Sequence, residues 1–267
     1  MTNIFKLKTV NGYVLKILIE LLQNNLKTVE LVIDKLGITM RMMNSNKSIL
    51  FDINLKSEDF NTYILNKDKL VIGLNLNHLH RMLKSIKKKD SIQIFIDDKF
   101  PNELGIKVVP KDNNRTTTSF IKILSFQESE ITLPTGYDNH TIVSGADFQK
   151  TLRELLHIGK VINITSSLNS ISFSSDSDGI MHRKVDFGNN DSEDDSEDEI
   201  TFDNDFDTDI LARVTKISSL STNMKIYTKK NQPLYIKTNI GNIGSISVFI
   251  KCNDPDGKYC SSDEEDE

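Results

Sequence analysis

The sequence predicts an α+β protein made of two copies of one module, each a helix pair packed on antiparallel sheet. Three observations carry that reading. Short matches recur at half the chain length, four segments place apolar residues at helical spacing, and alternating runs lie between them. At 267 residues the chain is long enough for one large domain or two of about 130.

The repeat is the strongest of the three. KILIELL (16–22) recurs as KTLRELL (150–156), and GITMRM (37–42) shares its apolar pattern with SISFSS (170–175). LHRMLK (79–84) recurs as LARVTK (211–216), IQIF (92–95) as MKIY (224–227), and LGIK (104–107) as LYIK (234–237). Chance explains one or two such coincidences, not a collinear set.

Each copy is expected to open on an amphipathic helix. Leu15, Leu18, Leu21 and Leu22 form the apolar stripe of the first, and Leu79, Met82, Leu83 and Ile86 that of the second. In the second copy the stripes are Phe148, Leu152, Leu155 and Leu156, then Ile210, Leu211, Val214 and Ile217. TVELVIDKLGITMRM, SILFDINL, VINITSSLNSISF, MKIYTK and SISVFIK alternate with period two, as half-buried antiparallel strands do. Within them Met40 and Met42 are expected to point inward and Met43 to sit at a strand's end, before an Asn-Ser-Asn-Lys turn. The expected bounds are 1–122 and 140–254 for the two modules, with a connector over 123–139. An acidic loop occupies 188–200, and 255–267 is an acidic tail with a disordered composition.

The net charge of −5 hides a basic body. Seven acids lie in DSEDDSEDE (191–199) and five in DEEDE (263–267); without those twelve, 26 acids face 33 bases, a balance of +7. Such a body suits a polyanion partner. The charge is also patterned. Arg81 and Lys84, Lys150 and Arg153, and Arg213 and Lys216 are each three apart, which places each pair on one helix face away from the apolar stripe. Lys16 is more isolated, with Glu20 one turn on, and KKK (87–89) extends the charge past the second helix. Recurrence at equivalent repeat positions points to a phosphate-tracking surface without sequence preference. Aromatic residues do not interleave with these pairs, which disfavours base stacking.

Catalytic chemistry finds no foothold. No phosphate-cradling glycine motif is present, and GNIG (241–244) lacks the required context. The five histidines have no ligand spacing, and His157 reads as a solvent-side or capping residue. DSDG (176–179) and DNDFDTD (203–209) resemble calcium loops only faintly and read as solvated turns. The two cysteines, Cys252 and Cys260, read as plain thiols of a reducing, intracellular compartment. The N-terminus lacks an apolar leader core, and no run is long enough to span a membrane. No metal or other cofactor is expected, and the protein is expected not to be an enzyme.

Several stretches together carry a resemblance: GITMRMMNSNKSILFDINLKSEDFNTY (37–63), GLNLNHLHRMLK (73–84), DFQKTLRELLHIGKVINI (147–164) and QPLYIK (232–237). Over residues 4–253 the chain resembles the proliferating cell nuclear antigen (PCNA) family of DNA sliding clamps. The resemblance implies a ring of three identical subunits with pseudo-six-fold symmetry, its helices facing a channel for duplex DNA. Lys16, Arg81, Lys84, Lys150, Arg153, Arg213 and Lys216 would line that channel. It also implies that the ring tethers DNA polymerase and other replication and repair proteins, that a separate ATP-dependent loader places it on DNA, and that no membrane is involved.

Partners of this family insert a short motif with one aliphatic and two aromatic anchors. The resemblance places its pocket at Met43, Leu50, Leu133, Pro134, Pro233 and Phe249, with Ile131 and Tyr137 as neighbours and LSFQESEITLPTGYDN (124–139) as the connector. Departures from the family pattern are Asn44 in place of an aspartate, Lys47 in place of a histidine, KCN (251–253) at the C-terminal strand's end, and Leu168 in place of a modifiable lysine. Asn44 and Lys47 are therefore where partner specificity is expected to differ. Asn-, Ile- and Lys-rich usage suggests an AT-rich genome such as that of a large DNA virus, and the expected location is a nucleus or a viral replication compartment. Two alternatives share the fold: one subunit of a heterotrimeric checkpoint-type clamp, and a monomeric or dimeric viral processivity factor.

Overall fold

A computed structural model describes residues 3–111, 115–125, 130–167, 170–188 and 201–253. The acidic loop past Gly188, the tail, Leu168 and Cys260 lie outside the described residues. The chain divides into two compact units. The first comprises Met1–Asn44, Phe51–Ile131 and Asn239–Ser247, and the second Ser45–Leu50, Thr132–Thr238 and Val248–Glu267. The changeover near 131 falls inside the expected connector, and two short segments are exchanged that sequence bounds did not separate.

The first unit begins with β1 (Asn3–Thr9), α1 (Gly12–Gln23), β2 (Thr28–Asp34), β3 (Gly37–Met43) and β4 (Ile49–Lys56). It continues with β5 (Thr62–Leu65), β6 (Lys69–Asn75), α2 (Leu76–Leu83), β7 (Ser91–Asp97), β8 (Glu103–Val109) and β9 (Thr117–Lys122). One sheet runs β5-β1-β7-β8-β9, and a second set of neighbours runs β4-β3-β2-β6. The core is apolar where the periodicities required it: Leu15, Leu18, Leu21 and Leu22 of α1 are buried, with Leu79 and Leu83 of α2 and Phe5, Leu7, Ile33, Met40 and Ile53 of the strands. Met42 is only half-buried, and its sulfur accepts the Glu30 backbone N–H.

The second unit has β10 (His140–Ser144), α3 (Gly145–Leu155), β11 (Val161–Ser166), β12 (Ser170–Ser177) and β13 (Met181–Gly188). Then come β14 (Phe202–Asp207), α4 (Thr208–Val214) with a 3₁₀ turn over Thr215–Ser219, β15 (Asn223–Tyr227), β16 (Leu234–Asn239) and β17 (Gly244–Ile250). Its strand neighbours run β13-β12-β11-β14 and β10-β15-β16-β17. Phe148, Leu152, Leu155, Leu211, Val214 and Ile217 are buried beneath them.

The two orders are the same order twice. β1-β7-β8-β9 corresponds to β10-β15-β16-β17, and β6-β2-β3-β4 to β14-β11-β12-β13, with α1 and α2 matching α3 and α4. β5 alone has no counterpart. Glycines open both first helices at equivalent positions. A Cβ at Gly12 would stand 3.1 Å from the Asp90 carbonyl oxygen, and one at Gly145 would stand 2.4 Å from that of Ser218. Each helix thus starts close against backbone, with a clash for a Cβ at Gly145 and a tight contact for one at Gly12.

Two expectations are corrected. A strand, not a helix, opens each copy: NIFKLKT alternates too briefly to stand out in sequence, yet β1 is fixed from both sides by β5 and β7. DNDFDTD is not a solvated turn. It forms β14, with Phe202 and Phe206 buried, and then caps α4 through the Asp207 carboxylate, which accepts the Asp209 N–H. Its outward acids are held by β11, where the Asn163 amide donates to Asp203 and Asp205 at 2.8 and 2.9 Å.

Candidate nucleic-acid and partner interfaces

Each helix buries its stripe and leaves cations on the other side. Arg81 lies in the last turn of α2 with Lys84 as its C-cap, and both are exposed, as are Lys150 and Arg153 on α3. Cations in a last turn also suit the partial negative charge of a helix C-terminus. On the second unit's other helix Arg213 is exposed in α4, whereas Lys216 falls in the 3₁₀ turn and is half-buried. Lys16 behaves differently. Its ammonium donates to the carbonyl of Lys84 at 2.8 Å and of Ile86 at 3.4 Å, and lies 5.5 Å over the Tyr13 ring. It fastens the end of α2 to α1. His157 is exposed beyond the end of α3.

The predicted partner residues fall in both units. Met43 and Ile131 belong to the first; Lys47, Leu50, Leu133, Pro134, Tyr137, Pro233 and Phe249 belong to the second. Met43 ends β3 and is 37% exposed, while the Asn44 side chain after it is buried. Lys47 is exposed with φ 54°, a left-handed backbone uncommon for a residue with a Cβ. Ile131 is held by its carbonyl, which accepts from the Arg41 guanidinium at 3.0 Å; Asp52 orients that guanidinium at 2.9 Å.

In the second unit the structure brings Tyr137, Pro233 and Phe249 together. The Tyr137 hydroxyl donates to the Pro233 carbonyl at 2.7 Å, and its ring lies 6.2 Å from Phe249. Sequence reasoning missed the residues that connect them. Tyr227, Tyr235 and Phe249 stack across β15, β16 and β17 with centroids 4.6 and 4.5 Å apart and interplanar angles of 19° and 10°. Tyr137 packs at 5.2 Å on the middle ring. The signal was available. Tyr227 and Tyr235 are register partners in the outward phase of strands whose inward phase is Met224, Ile226, Leu234 and Ile236. Partial burial, then the neighbouring Tyr235, raises the Tyr227 phenol above its ordinary value. Burial and Lys225 lower His140, whose ring lies 5.0 Å from Tyr227. The result is an uncharged aromatic platform with hydroxyl groups at its margin, suited to apolar and aromatic anchors.

Among the described residues no group of three or more His, Cys, Asp or Glu could hold a metal ion, and no helix is long and apolar enough to cross a membrane.

Comparison with known families matches the first copy, over residues 4–130, to the N-terminal domain of proliferating cell nuclear antigen, and the second, over 133–252, to its C-terminal domain. The chain belongs to the PCNA family. Relatives include a probable DNA polymerase sliding clamp 1 of Paramecium bursaria Chlorella virus 1, 25% identical over 92% of this chain and 96% of the relative. Proliferating cell nuclear antigen 2 of Plasmodium falciparum is 24% identical over 86% of this chain and 89% of its own length. A probable DNA polymerase sliding clamp of Acanthamoeba polyphaga mimivirus is 22% identical over 80% of this chain and 47% of its own. The resemblance read from the sequence is thus borne out, and with it the two-module clamp fold. The chain is a PCNA-type sliding clamp subunit, and viral clamps are among its relatives.

Proposed function

We propose that three copies of this chain close head to tail into a ring around duplex DNA and that the ring, without catalysis of its own, tethers DNA polymerase and other replication and repair proteins. The observation that carries the reading is the repeat in charge: α2 and α4 bury equivalent stripes and expose Arg81 and Arg213 at equivalent positions, and α3 adds exposed Lys150 and Arg153. A ring holds DNA by topology, so weak and mobile phosphate attraction suffices and sliding is allowed. Tethering acts by raising the local concentration of polymerase at the primer end. The aromatic ladder with Tyr137, Pro233 and Leu133–Pro134 receives the partner's apolar anchors, and on the first unit Met43 offers an adaptable, exposed side chain of its own. An ATP-dependent loader opens the ring, in a nucleus or a viral replication compartment.

Support for ring closure comes from the sheet ends. β9 and β13 are each last in their sheets. Their repeat equivalents, β17 and β4, lie side by side, through Lys56 N–H to Ile243 O in the first unit and Lys251 N–H to Ser48 O in the second. Pairing of β9 with β13 of a neighbouring copy repeats that arrangement. Mass photometry of the lone chain tests the proposal. A single species near three times 30.3 kDa, with stimulation of polymerase on circular primed template, is the expected result. A chain that is monomeric at micromolar concentration and gives no stimulation overturns it. A trimer formed only with other chains would favour a heterotrimeric clamp.

A further inference from the structure

The first unit carries a groove of about 890 Å³ at the start of β9. Five cations line it: Lys87, Lys88 and Lys89 beyond α2, Lys111 beyond β8, and Arg115 just before β9. All five are exposed. The one acid in the wall, Asp90, is buried, and its carboxylate accepts the Lys87 backbone N–H at 2.9 Å. Among the described residues none of the five cations is ion-paired. Like charges gathered around an open groove repel one another and attract an anionic occupant.

The chain contains such an occupant. Seven acids lie within 191–199, directly after β13 ends at Gly188. Where that run falls follows from the repeat. The two β4–β17 hydrogen bonds, Lys56 with Ile243 and Lys251 with Ser48, run in opposite senses along the chain, so those strands are antiparallel. Transferred to β13 and β9 of adjacent copies, the same geometry sets the end of β13 opposite the start of β9. The acidic run of one copy then begins beside Arg115 of the next. Thirteen residues separate Gly188 from Phe202, roughly 45 Å of extended chain. The strand ends they join are three strand spacings apart, about 14 Å. The segment therefore has the length to enter the groove and return.

We infer that the acidic run 191–199 of one copy docks in the Lys87–Arg115 groove of the next and adds an electrostatic contact to the joint between them. This rests on the head-to-tail assembly proposed above. The test is trimer dissociation of the full chain, followed by mass photometry between about 50 and about 500 mM salt. The variants are one with all seven acids of the run changed to Asn or Gln, one with K87E, K88E, K89E, K111E and R115E, and one combining those reversals with all seven acids changed to Lys. Either single set is expected to raise the dissociation constant about tenfold at low salt and to flatten its salt dependence, and the combined swap to restore most of the affinity. Dissociation that is indifferent to the neutralised run, or a swap that restores nothing, overturns the inference. So does a groove reversal that weakens DNA association while trimer dissociation stays as it was, since the occupant is then DNA. A wild-type chain that never exceeds one subunit's mass removes the assembly reading and this one with it; a trimer insensitive to all three variants removes only this one.

Discussion

Lys16 separates a structural cation from a DNA-facing one. The resemblance groups it with the channel lysines, but its ammonium is engaged by the Lys84 and Ile86 carbonyls. Changing Lys16→Met keeps the aliphatic stem and removes the charge. A hydrogen bond to a charged group contributes about 1.5–3 kcal/mol. The Lys84 end of this contact is exposed, which brings the expected destabilisation down to about 1 kcal/mol. That is roughly a five-fold change in an opening equilibrium. Hydrogen exchange should therefore show amides in the last turn of α2 and at Ile86 losing about five-fold of their protection, with the strands unaffected. Duplex DNA binding, titrated against salt, should keep its slope, whereas Arg81→Met should flatten the slope by about 0.9 for each phosphate it no longer neutralises. If Lys16→Met flattens the slope as Arg81→Met does and leaves α2 exchange unchanged, the ammonium belongs to DNA and the reasoning fails.

Reversing Arg81 and Lys84 to Glu should weaken DNA association and loading yet leave the subunit mass of the assembly unchanged in mass photometry, because neither residue lies on β9 or β13. Gly145→Ala should destabilise by about 2 kcal/mol or more and Gly12→Ala by clearly less, since the added Cβ meets the Ser218 oxygen at 2.4 Å in one case and the Asp90 oxygen at 3.1 Å in the other; equal effects on thermal denaturation would discount that geometry. Tyr235→Ala removes the middle ring of the ladder and should weaken binding of a peptide carrying paired aromatic anchors by about tenfold, with Tyr235→Phe close to wild type, in fluorescence titrations.

The residues that made the fold legible are those whose spacing burial enforces. Leu15, Leu18, Leu21 and Leu22 had to share a face, and so did Phe148, Leu152 and Leu155. Met40 behaved as its strand phase required. What stayed hidden depended on long-range pairing. NIFKLKT is a strand because β5 and β7 flank it, and nothing within seven residues says so. Asp203 and Asp205 look like metal ligands or solvated turn residues until Asn163 on the next strand is in place. The candidate sites divide in the same way. Exposed Arg81, Lys84, Lys150 and Arg153 follow from i, i+3 spacing alone. The engagement of Lys16 by a helix end and the burial of Asn44 are tertiary facts. The aromatic ladder sat in plain view inside MKIY and LYIK, but only strand register places their outward tyrosines side by side, and likeness to IQIF and LGIK marks the repeat rather than that face.

The two open edges have opposing needs. An unpaired strand edge invites pairing with any other edge, and proteins commonly blunt it with charge. β13 carries Arg183 and Lys184 and β9 carries Lys122, which guard against indiscriminate pairing. Yet Phe120 on β9 is 55% exposed and Met181 on β13 is 49% exposed, and neither strand contains a proline. Apolar exposure of that kind fits an edge meant to be covered. In the head-to-tail assembly proposed above, the acidic run after β13 of one copy and the cationic groove before β9 of the next would meet at the same joint. Charge would then select which edges join, and the backbone ladder would supply the joint.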